Sequence, residues 1–216
     1  ETPAFQQAIE QQERVSMPMM SVLRDHPKAL VLGTMMSVAT FVLFYLMTVF
    51  TLSWGPNALG YPRQQFLMIQ LFGILFFAAT IPWSAKLADR HGRRRTLLWV
   101  SAAIAAFGLV LAPLFGSGVP GMTLTLVIGL ALMGLTYGPL GTILSEPFPT
   151  AVRYTGASLT FNLAGIVGAS LAPYIATYLA RHYGLQYVGY YLSGAALLTF
   201  AALWLTHETK DADSAG

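Results

Sequence analysis

Between Ala29 and Thr206 the chain is built from long runs that contain no Asp, Glu, Lys or Arg. No other feature limits the fold as strongly. A stretch of backbone that meets no water must satisfy its N–H and C=O groups internally, which leaves the helix or the closed barrel. A bilayer core calls for about 20 apolar residues per helix. The charge-free runs give six spans of that size: 29–52, 64–85, 96–114, 122–144, 154–180 and 185–206. The composition supports lipid rather than water as the solvent: 55% of residues are hydrophobic and 10% charged, against about 25% charged in soluble domains.

Turn residues separate spans that charges do not. The charge-free run 96–145 is too long for one helix, and Phe115-Gly116-Ser117-Gly118-Val119-Pro120-Gly121 breaks it as a tight hairpin. Trp54-Gly55-Pro56-Asn57 is predicted to end the first span in the same way. The first residues, from Glu1 to Arg14, are polar and rich in Gln. They are read as the interior of a loop, in a piece of a longer chain.

The cations are strongly partitioned. Arg14, Arg24 and Lys28 precede span one, and Lys86, Arg90, Arg93, Arg94 and Arg95 lie between spans two and three. Arg153 lies between spans four and five, and Lys210 follows span six, whereas the other side holds only Arg63 and Arg181. By the positive-inside rule both ends of the chain, and the Arg-rich loop, are expected in the cytoplasm. Trp54, Tyr61, Tyr183 and Tyr187 fall at one predicted interface, and Trp83, Trp99 and Trp204 at the other, as amphipathic rings prefer.

Several chemistries are set aside. There is no cysteine, so neither a disulfide nor a thiolate site can form. His26, His91, His182 and His207 all sit in loops or at predicted helix ends, and no set of three converging metal ligands is seen. The basic residues form a short loop, not a nucleic-acid footprint. An intramembrane hydrolase would need a nucleophile and a base within a span. No Asp or His is central to one and no Gly-x-Ser-Gly occurs, so no enzyme is expected.

Two loops carry motifs. Ala85-Lys86-Leu87-Ala88-Asp89-Arg90-His91-Gly92-Arg93-Arg94 joins spans two and three. Glu146-Pro147-Phe148-Pro149-Thr150-Ala151-Val152-Arg153-Tyr154-Thr155-Gly156-Ala157-Ser158 joins spans four and five. The first resembles the cytoplasmic loop signature of the major facilitator superfamily, found between helices 2 and 3 and again between helices 8 and 9. The second, with its Glu-x-Phe-Pro-x-x-x-Arg-x-Thr-Gly spacing, resembles the loop between helices 10 and 11 of the sugar-porter and metabolite:H⁺ symporter branches. The following run from Asn162 to Ala176 is similar to helix 11 of metabolite:H⁺ symporters (the shikimate, α-ketoglutarate and proline-betaine permeases). Leu32-Gly33-Thr34, Leu43–Val49 and Thr206-His207-Glu208-Thr209 fit the same family.

This resemblance implies an all-α membrane protein, a six-transmembrane-helix bundle forming one half of a twelve-helix major facilitator fold. The spans would be helices 7–12. Residues 1–28 would be the cytoplasmic inter-domain loop segment, 29–206 the C-terminal transmembrane domain, and 207–216 a cytoplasmic tail. The implied function is proton-coupled symport of a small metabolite, an organic acid or a zwitterionic osmolyte, by alternating access in the bacterial inner membrane. The alternative is a facilitative carrier or sensor of the same fold. Partners would be the solute, protons, the bilayer and the missing N-terminal six-helix half. No cofactor is expected, only the proton gradient. No charge lies within a span, so the proton-coupling residues are expected in the other half.

In the family the cavity is lined by helices 7 and 10, with 8 and 11 contributing. On span one, Phe41, Tyr45 and Thr48 share a face at helical spacing, with Phe44 adjacent. On span four, Met133, Thr136 and Tyr137 precede Pro139, and Gln70 and Asn162 are lone amides deep in spans two and five. These nine are the candidate substrate-binding residues. A buried amide costs free energy unless it is bonded, so a helix–helix hydrogen bond is the competing role for each amide. The resemblance assigns Asp89, Arg90, Gly92, Arg93, Arg94, Glu146 and Arg153 to a conformational latch. Asp89 is expected to face a helix N-terminus, and Glu146 to pair with Arg153 or meet neighbouring helix ends. Gly134-x-x-x-Gly138 and Ala164-x-x-x-Gly168-x-x-x-Ala172 predict close helix crossings, and Pro82, Pro113, Pro139 and Pro173 predict kinks.

Overall fold

A computed structural model describes residues 18–206 of the chain. Six helices in it are long and apolar enough to cross a membrane. A short helix α1, Pro18–Asp25, precedes them. The spans are α2 (Pro27–Ala58), α3 (Arg63–His91), α4 (Arg93–Phe115), α5 (Val119–Ser145), α6 (Arg153–His182) and α7 (Leu185–Trp204). The segment expected to be a loop before residue 29 therefore includes a helical turn pair. It is held by Val22, fully buried with Leu30, Phe148 and Val152. The predicted tail from 207, and the cations Arg14 and Lys210, lie outside the described residues.

Most helices run past their apolar runs, because helical hydrogen bonding does not stop where lipid does. The largest difference is in α2. Trp54-Gly55-Pro56-Asn57 does not end the span; the helix continues to Ala58 and turns only at Gly60, φ 73°. Pro56 is tolerated because it sits in the last turns, where only one backbone bond is lost. The hairpin between α4 and α5 forms where the turn cluster predicts it. It narrows to residues 116–118, and Gly118 takes φ 87°.

Two spans change register partway. In α2, residues Leu46–Phe50 form a π turn, with Thr51 N–H donating to Leu46 C=O. In α6, Ile166–Ser170 do the same, just before Pro173 at the start of Ala172–His182. The proline has no N–H for the carbonyl four residues earlier and its ring crowds that position. A wider π turn relieves both problems. Single π turns within helices are uncommon and occur often at functional sites.

The helices pack in the spatial order α3, α5, α4, α7, α2, α6. The main core fills the middle with Val42, Leu46, Phe50, Ile104, Phe107, Leu130, Leu192 and their neighbours. Small residues set the closest crossings. A Cβ on Gly138 would lie 2.8 Å from Ala85 N and 3.0 Å from Ile81 O, and one on Gly168 2.7 Å from Phe41 Cβ. The α4–α7 crossing depends on Gly108, where a Cβ would lie 2.6 Å from Gly189 O. Its small-residue spacing, Gly189 to Ser193, is in the sequence but is not among the motifs singled out above. The helices α3 and α6 occupy the two flanks and are the least enclosed. In the most apolar stretch of α3 17% of residues are buried, against 67% in α2. The flank helices thus offer apolar surface to lipid or to another protein layer.

Candidate functional site

A pocket of ≈280 Å³ opens where the part of α2 before its π turn packs against the π turn of α6. Phe41 and Tyr45 line it from α2, and Phe161, Asn162, Gly165, Ile166 and Ser170 from α6. Phe41 and Phe161 meet edge to face, with centroids 4.9 Å apart. The lining holds aromatic rings, one hydroxyl of Tyr45, one of Ser170 and one amide, and no charged group. The volume falls just below the roughly 300–1,000 Å³ of complete ligand pockets, as expected of a surface that another layer closes.

Three of the nine candidate binding residues, Phe41, Tyr45 and Asn162, are brought together here. The Asn162 amide nitrogen donates to Ser158 C=O of its own helix at 2.8 Å, which holds the side chain at the pocket's edge. Phe44 packs edge-on against Tyr45, centroids 5.0 Å apart. Tyr137 is half-buried and edge-on to Phe77 on α3 at 5.5 Å. Thr48 is also half-buried, its hydroxyl donating to Phe44 C=O at 2.6 Å. Met133 and Thr136 are enclosed in the bundle, and the Thr136 hydroxyl returns to Met133 C=O at 2.7 Å. Phe161 and Ser170 were not among the candidates. No periodic signal distinguishes them from packing residues in the sequence.

Gln70 has taken the competing role. It is 7% exposed, and its Nε2 donates to Met47 C=O at 2.8 Å and Thr48 C=O at 3.1 Å. The reason lies in the register of α2. In an α-helix Thr51 N–H would serve Met47 C=O; in the π turn it serves Leu46 C=O instead. The freed Met47 carbonyl is taken by the Thr51 hydroxyl at 2.8 Å and by the Gln70 amide. A buried carbonyl without a donor would cost about 1–3 kcal/mol. Gln70 therefore positions the turn that presents Tyr45 and Thr48.

The Arg-rich end has its own network. Gly92, buried between α3 and α4, takes φ 95°, a conformation that L side chains rarely adopt. This turn directs Arg93 to an ion pair with Glu146 at the end of α5. Arg94 donates from Nε to Leu203 C=O at 2.8 Å and from its terminal nitrogen to Trp204 C=O at 3.0 Å. Its guanidinium lies 5.9 Å from the Trp204 ring centroid. A cation on the last carbonyls of α7 also complements the helix dipole. Arg153 Nε donates to Phe148 C=O at 3.3 Å. Of the two arrangements expected for Glu146, pairing with Arg153 or contact with a neighbouring helix end, the second is found: its ion pair is with Arg93, the first residue of α4. Asp89 and Arg90 are exposed in the last turn of α3. A second pocket at this end, ≈320 Å³, lies between Lys28 and Glu146. Among the described residues no group of three His, Asp or Glu could hold a metal ion.

Comparison with known proteins agrees with this architecture. The family model for the sugar (and other) transporter matches residues 4–213. The inner membrane metabolite transport protein YhjE of Escherichia coli is 44% identical over 97% of this chain and 49% of its own length. A putative metabolite transport protein of Haemophilus influenzae is 39% identical over 99% of this chain and 51% of its own length. The citrate-proton symporter of Salmonella typhi is 32% identical over 79% of this chain and 40% of its own length. No solved structure matches. The chain spans about half the length of the curated relatives it matches. Two flank helices with unenclosed apolar faces, an uncharged pocket at the π turn of α6, and a family match over nearly every residue lead to one assignment: the chain belongs to the sugar (and other) transporter family of the major facilitator superfamily.

Proposed function

We propose that this chain is the C-terminal half of a proton-coupled secondary transporter of small metabolites that works by alternating access. Its ends and its Arg-rich loop face the cytoplasm of a bacterial inner membrane. The observation that carries the reading is the ≈280 Å³ uncharged pocket at the crossing of α2 and α6. It is aromatic and amide-lined, open on one side, and placed at the π turn of α6. A matching half would close it near the midplane, where such carriers hold their solute.

The solute would be an organic acid or a zwitterionic osmolyte. Phe41, Tyr45 and Asn162 would touch it directly, with Phe44, Thr48 and Tyr137 bordering the path. The partner half would supply the charge for a carboxylate and the group that titrates. The proton gradient would supply the energy, with no cofactor. The Arg93–Glu146 pair and the Arg94 clamp on α7 support a latch at the cytoplasmic end. They tie the loop after α3 to the ends of α5 and α7, so that the three would move together.

Counterflow in proteoliposomes made with the full-length protein tests the reading. Vesicles preloaded with the unlabelled solute should accumulate label transiently, and a proton ionophore should abolish uphill uptake but not exchange. Equal label entry with and without preloading would indicate a channel. Uphill uptake that survives the ionophore would remove the proton coupling and leave a facilitative or differently coupled carrier.

A further inference from the structure

One exposed face of α3 carries an ordered gradient of chemistry. Phe72, Phe76, Ala79, Trp83, Lys86 and Arg90 follow one another at steps of three or four residues, so they share a helix face. Phe72 and Phe76 are exposed and meet edge-on, with centroids 5.3 Å apart. Trp83 is 60% exposed. With Lys86, Leu87, Arg90 and His91 it lines a hollow of ≈240 Å³. Trp99 of α4 stands next to it: the residue is 52% exposed, and its ring lies 5.4 Å from the His91 ring.

Read from the middle of the span outward, the face runs from two phenyl rings to an indole and then to cations. That is the order of a phospholipid, from acyl chain through glycerol ester to phosphate. The dimensions agree. Eleven residues separate Phe72 from Trp83, about 16 Å at 1.5 Å per residue, close to half of the roughly 30 Å hydrocarbon core. Indole rings favour the ester and headgroup level. Basic pockets at helix ends are suited to lipid headgroups. Asp89, the one acid in α3, lies on the opposite side of Arg90 from His91 and is not among the residues that line the hollow. Lys86 and Arg90 can keep their stems on the apolar surface while the charges reach the phosphate.

We propose that this face of α3, with Trp99, seats one anionic phospholipid, its phosphate held by Lys86, Arg90 and His91 and an acyl chain laid along Phe76 and Phe72. The seat requires that the helices span a bilayer and that no other protein layer covers this face; it is independent of the solute and of proton coupling. The charge pattern favours an anionic lipid over a partner helix, because the cations are confined to the end of the stripe where a headgroup would be.

Native mass spectrometry of the purified protein in detergent, titrated with phosphatidylglycerol, tests the proposal. The wild type should retain one phosphatidylglycerol in preference to phosphatidylcholine, and millimolar inorganic phosphate should not displace it. Lys86→Gln should weaken retention about fivefold, the effect of one membrane-facing lysine, and adding Trp83→Leu should weaken it further. Arg63→Gln, at the other end of α3, should leave it unchanged. Lys86 is exposed, so the variant should keep the wild-type melting temperature. Equal retention of both lipids, or retention unchanged in Lys86→Gln, would overturn the proposal. Displacement of the lipid by phosphate would instead mark a site for a free anion and overturn it too. A wild type that binds neither lipid would place another protein surface on the stripe, with the same consequence.

Discussion

Replacing Gln70 with leucine should loosen the π turn of α2 without touching the pocket. The side chain is enclosed, and its two hydrogen bonds end on Met47 and Thr48 C=O at 2.8 and 3.1 Å. Interhelical hydrogen bonds in membrane proteins average about 0.6 kcal/mol and reach about 1.7. Two of them give an expected loss of about 1–2 kcal/mol. The loss is held to that size because the Thr51 hydroxyl still serves Met47 C=O, so no carbonyl at that position is left bare. The loss should appear in two assays. Unfolding in mixed micelles should shift by that amount, and amide exchange over residues 47–51 should quicken about 5–30-fold, the equivalent factor. Gln65→Leu, at an exposed position of the same helix, should do neither. Exchange over 47–51 unchanged in Gln70→Leu would refute the claim that this amide holds the turn.

Four further outcomes follow from the packing and the loop network. Gly138→Ala should destabilise by about 1–3 kcal/mol, because the new Cβ meets backbone at Ala85 and Ile81. Gly141→Ala, with open space at its Cβ, should be neutral or stabilise by up to about 1 kcal/mol; denaturation midpoints would compare them. Arg94→Gln removes the guanidinium donors to Leu203 and Trp204 C=O and should lower stability by about 1–2 kcal/mol, with faster exchange at the end of α7. Asp89→Asn should slow transport with little change in melting temperature, read from initial uptake rates; wild-type rates would remove Asp89 from the latch.

The spans were readable from the sequence because lipid imposes a coarse rule, an absence of charge over a helix length, and every run of that kind became a helix. Their ends were less so. Trp54 to Asn57 has the composition of a turn, yet helical bonding carries through Pro56 to Ala58. The π turns left no trace in composition, because they are defined by which carbonyl each N–H reaches. The proline after the second one explains it only once the helix is seen to continue. Lone amides marked Gln70 and Asn162 as unusual, but the sequence could not tell which would bond across helices and which would line the pocket. Glu146 was recognised as a pairing acid, and its partner proved to be Arg93. That pair depends on how two loops meet in space, a relation that spacing along the chain does not contain.

The account rests on the pocket at α2 and α6 being part of a path that opens alternately to the two faces of a membrane. This chain has no cysteine, so a cysteine placed at Asn162 in a full-length protein otherwise free of thiols reports on that path directly. A membrane-impermeant maleimide should label it from either side of the membrane in oriented vesicles, and the solute should shift the balance between the two sides. Labelling from one side only, indifferent to solute, or no labelling from either, would contradict the account.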